Sequence, residues 1–459
     1  MKSYQVKFWA IRPGKAKTKR THEVRWKVGR APHSRTLGNK AHAENFLSDL
    51  RQAARAGEPF DVATGLPGSM MTARSRSWFA FCLAYMEMKW PAAAPKTRES
   101  LTDALATIIP AVTHERVPDW LEPAVLRRAL RQFALAPGSR DLERPPDVAA
   151  ALRWLEKSSL PVAEVGKPAH ARAVLNAICV RQDGRAAGAT TIARKRWVFV
   201  NVLRYAVEVE ELPFNPLDRL SWKPPKVSEI VDRRVVVNPR QARELLTAVT
   251  YVGQRGGGRY SRGQRLMALY ACMYFAALRP GEAVALRCQD CHLPASGWGR
   301  LTLEKSRPEV ARRWSDTASV HEERGLKHRP AKDTRQVPIP PELVAILRGH
   351  IDAFGVAPDG RLFSSERGQV IASTALSDVW AEARTRALTP EQVASPLAGR
   401  PYDLRHAAVS LWLNAGVPAP EVAERAGHSV EVLLRVYAKC LDGGEDIANR
   451  RIGAALRDA

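Results

Sequence analysis

The apolar residues change period along this chain, and that change limits the fold more than any other feature. In Tyr4–Phe8 every second residue is apolar, and in Glu23–Val28 the apolar Val24, Trp26 and Val28 alternate with Glu23, Arg25 and Lys27. Period two belongs to a half-buried antiparallel strand with one charged face. A third short strand near Arg35–Leu37 leads to Asn39, an N-cap residue, and to a helix carrying Phe46, Leu47, Leu50 and Ala54. From about Ala73 the spacing becomes helical. Trp78, Phe81, Cys82 and Tyr85 form one face, and Trp197, Val200, Leu203 and Val207 another. The stretch Gly57 to Gly68 carries two Pro and three Gly and reads as a linker, and Leu212 to Pro225 reads as a second, proline-stiffened one. The expected architecture is multidomain and mainly α with small β-sheets. It has a three-stranded sheet plus helix in residues 1–60, a helical domain in 70–225 and an α+β domain in 236–459.

Charge narrows the partners. With 71 Lys and Arg against 47 Asp and Glu, the 459 residues carry a net +24 at pH 7. Such an excess points to a polyanion, nucleic acid above all. It is concentrated at the start, where Lys2 to Arg55 holds fourteen basic residues and only Glu23, Glu44 and Asp49. Lys15, Lys17, Lys19 and Arg20 on the connecting loop, with Arg25 and Lys27 on the sheet, are the expected DNA contacts, since a small sheet can lie in the major groove. The longest apolar run, Leu266 to Leu278, is too short to cross a bilayer. Six scattered cysteines make no disulfide scaffold, and no export signal opens the sequence, so a cytoplasmic protein is expected. Cys288-Gln-Asp-Cys291-His292 lacks a second ligand pair at zinc spacing and is read as a strand following a helix, with no metal and no cofactor.

Three boxes in the last domain carry chemistry. The apolar helix Leu266–Leu278 ends at Arg279-Pro-Gly-Glu282. Tyr402-Asp-Leu-Arg405-His406 opens a second helix. Gly427-His428 follows a short third one, and Ser429 caps a fourth that holds Tyr437. Breaking a phosphodiester needs a nucleophile, charge neutralisation on the nonbridging oxygens and a proton for the leaving oxygen. Guanidiniums bind phosphate through paired hydrogen bonds and keep their charge.

In order and spacing these boxes resemble the tyrosine recombinase (phage integrase) family, over about half the chain. The resemblance implies a site-specific DNA recombinase that integrates or excises a mobile element. Tyr437 would attack to give a 3′-phosphotyrosyl link and a free 5′-hydroxyl, while Arg279, Arg405 and His428 hold the phosphate, with Glu282 and His406 in support. It also implies a lysine on a β-hairpin as the acid. Lys327 is the expected one, with Lys332 and Lys305 as the others. The two arginines are expected to favour the Tyr437 phenolate against its usual pKa of about 10. The implied partners are double-stranded attachment sites, a homotetramer on DNA, and an excisionase or DNA-bending protein. The first two domains match arm-type and core-type DNA-binding modules by layout. One departure stands out: the position three before Arg405, usually His, is Tyr402, a poor base near neutral pH. That leaves open which group takes the Tyr437 proton. It also keeps two alternatives in play, a catalytically impaired DNA-binding protein and a relaxing enzyme of the type IB topoisomerase kind.

Overall fold

The computed structural model describes residues 2–13, 21–72, 76–227, 229–253, 260–317, 319–327, 330, 333–437, 440, 449–450, 453 and 456–457. Lys15, Lys17, Lys19, Arg20 and Lys332 lie outside the described residues, as does most of the tail after Tyr437. The chain divides into two compact units, Met1–Val227 and Ser228–Ala459, and is mainly helical with small sheets. No described helix is long and apolar enough to cross a membrane.

In the first unit, β1 (Lys2–Ser3), β2 (Val6–Phe8), β3 (Arg12–Pro13), β4 (His22–Val28) and β5 (Ala31–Leu37) precede α1 (Lys40–Arg55) and β6 (Phe60–Asp61). The three expected strands are β2, β4 and β5, paired antiparallel around β4, and β3 adds a short fourth. Val24, Trp26 and Val28 are buried as the alternation requires, against Phe46, Leu47 and Leu50 of α1. Asn39 caps α1 by accepting from the Ala41 amide at 2.9 Å. Gly57 to Gly68 does not run as a free linker. Phe60 and Leu66 are buried in the small core, β6 pairs with β1, and the Trp26 indole donates to the Gly65 carbonyl. A two-residue strand is too short for periodicity to reveal.

Helices α2 (Gly68–Thr72), α3 (Trp78–Lys89), α4 (Pro95–Ile108), α5 (Pro123–Ala129), α6 (Pro146–Ser158), α7 (Val162–Val165), α8 (Pro168–Ile178) and α9 (Ala189–Glu208) complete the unit around a separate core. Trp78, Phe81, Cys82 and Tyr85 are buried there as expected. The face of α9 is rotated from its expected position. Ile192, Val198, Phe199, Val202, Leu203 and Ala206 point inward, and Trp197 is 58% exposed. Two apolar stripes compete on this helix, and size misled: the larger side chain is the outward one.

The second unit contains α10 (Pro239–Thr250), α11 (Arg262–Phe275), α12 (Pro280–Ala285), β7 (Cys291–His292), β8 (Gly299–Leu303), β9 (Lys305–Ser306), β10 (Arg324–Gly325), β11 (Arg335–Ile339), α13 (Pro341–Phe354), α14 (Ser373–Ala387), α15 (Pro390–Ala394), α16 (Asp403–Asn414), α17 (Ala419–Ala426) and α18 (Val430–Tyr437). Asn238 and Pro239 open α10 with a reciprocal capping box, Asn238 against Gln241. The sheet order is β11-β8-β7, antiparallel throughout. The long insertion after Ser306 extends the β8–β11 hairpin: β9 and β10 pair at its neck, and Trp314 is buried within it. Helix α11 stops at Phe275, before the Arg279 box. Ala277 takes a positive φ of 49°, which turns the chain, so Arg279 becomes the N-cap of α12, with Pro280 at its first position.

Candidate functional site

The site forms where α12, β11, α16 and the α17–α18 turn meet. Helix α17 ends at Gly427, whose backbone is left-handed (φ 66°, ψ 48°). The Gly427 amide bonds Glu424 O at 3.1 Å and the His428 amide bonds Ala423 O at 2.9 Å, a glycine C-cap that sends the chain back toward the core. The last carbonyls of α17 carry the negative end of its dipole, and guanidiniums occupy that end. Arg279 donates to Gly427 O at 2.7 Å, and Arg405 donates to Ala426 O, to Ala277 O and, at 2.8 Å, to His428 Nε2. Arg279 and Arg405 are thus tied to consecutive carbonyls, as their distance in sequence would not reveal.

A third guanidinium completes the cluster. Arg335 at the start of β11 is 2% exposed and makes a paired contact with Glu282, Nη1 at 3.1 Å and Nη2 at 2.7 Å. Glu282, 1% exposed, also takes Arg279 Nη1 at 2.7 Å and the Arg279 amide at 2.9 Å. Burial alone would raise the Glu282 pKa, but Arg335 and then Arg279 hold its carboxyl down at about 2. Glu282 was expected beside the arginines; Arg335 was missed. Its one sequence signal was an arginine at an inward position of the alternating strand Arg335–Ile339.

Because the folded pKa is depressed, this carboxylate's contribution to stability is present above the unfolded value near 4.5. It is lost as pH falls toward about 2. Glu282→Gln is expected to cost about 3–5 kcal/mol near neutrality, because it leaves two guanidiniums without their counter-charge. Thermal melts of both proteins should converge as pH drops through 4.5 to 2; a gap independent of pH would contradict the assignment.

Arg405 is 0% exposed and, among the described residues, has no carboxylate within ion-pair distance; its Nε is buried without a partner. A buried guanidinium bonded only to carbonyls and an imidazole, with Glu282 acting on it only through space, favours an anion beside it. His428 is kept neutral, its pKa lowered to about 3 by burial and then by Arg405, Arg279 and Arg335. With Nε2 accepting from Arg405, its proton sits on Nδ1, which is buried and unpartnered. Nε of Arg335, Nε of Arg405 and Nδ1 of His428 are thus all buried without a hydrogen-bond partner.

Tyr437 ends α18 and is 1% exposed, inside a small apolar cluster with Ala408, Val409, Val422 and Leu433. Its ring lies 6.1 Å from that of His428. Its hydroxyl is 2.9 Å from Nδ1 of His406, and the His406 ring lies 5.1 Å from Tyr402, edge to face. The expected phenolate is not found. Burial raises the Tyr437 pKa well above its usual value and outweighs the lowering by Arg405, so the phenol stays protonated. His406 is neutral too, its pKa lowered to about 4, chiefly by burial.

Of the hairpin lysines, Lys305 lies on β9, whose neighbour Arg307 donates its amide to Gly281 O at 2.8 Å, inside the Arg279 box. Its ammonium contacts Glu323, which Arg307 and Arg287 also bind. Lys327 is exposed, two residues past Gly325, which faces Lys305 across the β9–β10 pair. In the small domain, Arg25 and Lys27 project from the outer face of β4, with Arg25 5.6 Å from the Trp9 ring centroid.

No known family model matches the chain. A curated relative, the XerC-like tyrosine recombinase of Caldanaerobacter subterraneus subsp. tengcongensis, is 24% identical over 196 residues, 38% of this chain and 46% of that protein. The chain therefore spans about half the length of the relative it matches. Among solved structures, the Tn1549 transposon integrase in complex with a circular intermediate DNA covers 72% of this chain and 99% of its own, at TM-score 0.47 and 15% identity. The XerH site-specific recombinase bound to palindromic difH substrate covers 74% and 92%, at TM-score 0.44 and 14% identity. The chain is thus similar, over 38% of its length, to a tyrosine recombinase, and its arginine, glycine–histidine and tyrosine boxes come together in one site.

Proposed function

We propose that this protein is a site-specific DNA recombinase that cuts and rejoins DNA through a 3′-phosphotyrosyl intermediate, serving integration or excision of a mobile element. The observation that carries the reading is Arg405: a buried guanidinium without an ion-pair partner among the described residues, beside Arg279 and His428, with Tyr437 against the same imidazole. Arg279 and Arg405 clamp the nonbridging oxygens, and the buried Nδ1–H of His428 donates to one of them as negative charge builds. Tyr437 attacks phosphorus, the 5′ oxygen leaves, and the phosphotyrosyl link keeps the bond energy for religation. Double-stranded attachment sites are the substrate. A homotetramer is the assembly that exchanges two strand pairs, and an excisionase or DNA-bending protein would set its direction. Residues 1–60 and 70–225 serve as arm-type and core-type DNA-binding modules, with Lys15, Lys17, Lys19, Arg20, Arg25 and Lys27 on phosphate, and 236–459 is the catalytic domain.

A nicked suicide substrate tests the reading: a covalent adduct in the native chain that is absent in Tyr437→Phe supports it. Tight binding without adduct supports the impaired binder instead. Relaxation of plasmid lacking any special site, without recombinants, supports the topoisomerase-like alternative.

The acid is a hairpin lysine. The tie between β9 and the Arg279 box favours Lys305 over the expected Lys327. Replacing the 5′ bridging oxygen by sulfur removes the need for a proton. Lys305→Ala is expected to cleave the oxygen substrate about 100-fold more slowly and the sulfur substrate at the native rate; the same pattern in Lys327→Ala would move the role there.

A further inference from the structure

The group that takes the proton from Tyr437 was left open by Tyr402, and the geometry points to His406. We propose that Nδ1 of His406 is the general base for Tyr437, and returns the proton when the phosphotyrosyl link is resealed. This rests on Tyr437 being the nucleophile.

His406 Nδ1 lies 2.9 Å from the Tyr437 hydroxyl, the reach a base requires, and is its hydrogen-bonding neighbour among the described residues. The other imidazole is committed elsewhere: His428 Nε2 accepts from Arg405. Tyr402 meets the His406 ring edge to face from the N-cap of α16, one turn earlier, so the phenol at the unusual position packs the ring. The groups that act on this imidazole are Asp403, which favours its charged form, and Arg400 and Arg405, which oppose it; His428 and Tyr437 face it from the α17–α18 turn and α18. Burial keeps the ring neutral, with a pKa of about 4, so it enters the step as imidazole and not as imidazolium.

The step balances. As the Tyr437 Oη–P bond forms, the Oη proton passes to Nδ1, the P–O5′ bond breaks, and the leaving oxygen takes a proton from the hairpin lysine. On religation the 5′-hydroxyl attacks and returns its proton to the lysine, the P–Oη bond breaks, and the departing phenol oxygen takes its proton back from the imidazolium.

Adduct formation on a nicked site, measured from pH 5 to 9 with DNA binding followed in parallel, separates this from a positioning role. Asparagine can hold the hydrogen bond but cannot take the proton. His406→Asn is therefore expected to bind DNA normally and to react 100- to 10,000-fold more slowly at pH 7. Its rate should rise about tenfold per pH unit, whereas the native rate is level above the titration of His406. In His406→Ala, added imidazole should restore part of the rate. A His406→Asn rate within threefold of native with an unchanged pH profile overturns the proposal, as does a slow His406→Ala that imidazole does not rescue. Absence of adduct in the native chain would instead refute the nucleophile assignment.

Discussion

Arg405→Ala is expected to abolish strand cleavage, lowering the rate of adduct formation by at least about 10³-fold. It removes a fully buried guanidinium that makes no ion pair with a carboxylate among the described residues, and it strands the carbonyls of Ala277 and Ala426 and Nε2 of His428 in a dry site. Buried acceptors left without donors cost roughly 1–3 kcal/mol each, so a lower melting temperature is expected as well. Arg405→Lys separates the two effects. An ammonium keeps the charge but cannot span two carbonyls, an imidazole and a phosphate oxygen from a planar fork. Its cleavage rate should stay at least about 100-fold below native while DNA binding survives. Native cleavage by Arg405→Lys would show that charge alone suffices and would remove the clamp from the mechanism.

Gly427→Ala is expected to be nearly as damaging, although it adds one methyl group. The backbone at 427 is left-handed, which costs an alanine roughly 1–2 kcal/mol. Space is the larger obstacle. A Cβ there would run into Nη1 of Arg335, 3.1 Å from its Cζ, and would lie 3.3 Å from Nη1 of Arg279. Arg335 cannot swing away without breaking its paired contact to Glu282, and Arg279 shares that carboxylate. The substitution therefore pushes on Arg335 and Arg279 through their common anchor, Glu282. Cleavage is expected to fall at least about 100-fold, since small displacements of a positioned group carry effects of that size. A Gly427→Ala protein cleaving at the native rate would mean that the turn does not position the cluster.

The parts of the site that could be read from sequence were those written locally. Glycine before His428 marks a helix end, Arg405 opens a helix, and Tyr437 falls on the next one; all three stand where their spacing put them. The alternation of Val24, Trp26 and Val28 gave the small sheet for the same reason. What could not be read depends on contacts between distant segments. Arg335 resembles any solvated strand arginine until β11 is placed against α12, 53 residues away in sequence. The Tyr437 phenolate was inferred from neighbouring charge, yet the apolar cluster around the ring outweighs that charge. His406 appeared as mere support because its partner hydroxyl is 31 residues on.

Convergence on one phosphorus is tested most directly by locating the covalent bond. The adduct trapped on a nicked attachment site, digested and sequenced by mass spectrometry, should carry the 3′-phosphoryl group on Tyr437 alone. Phosphorylation of Tyr402, the other phenol facing the His406 ring, or site-specific cleavage with no phosphotyrosine at all, would contradict it.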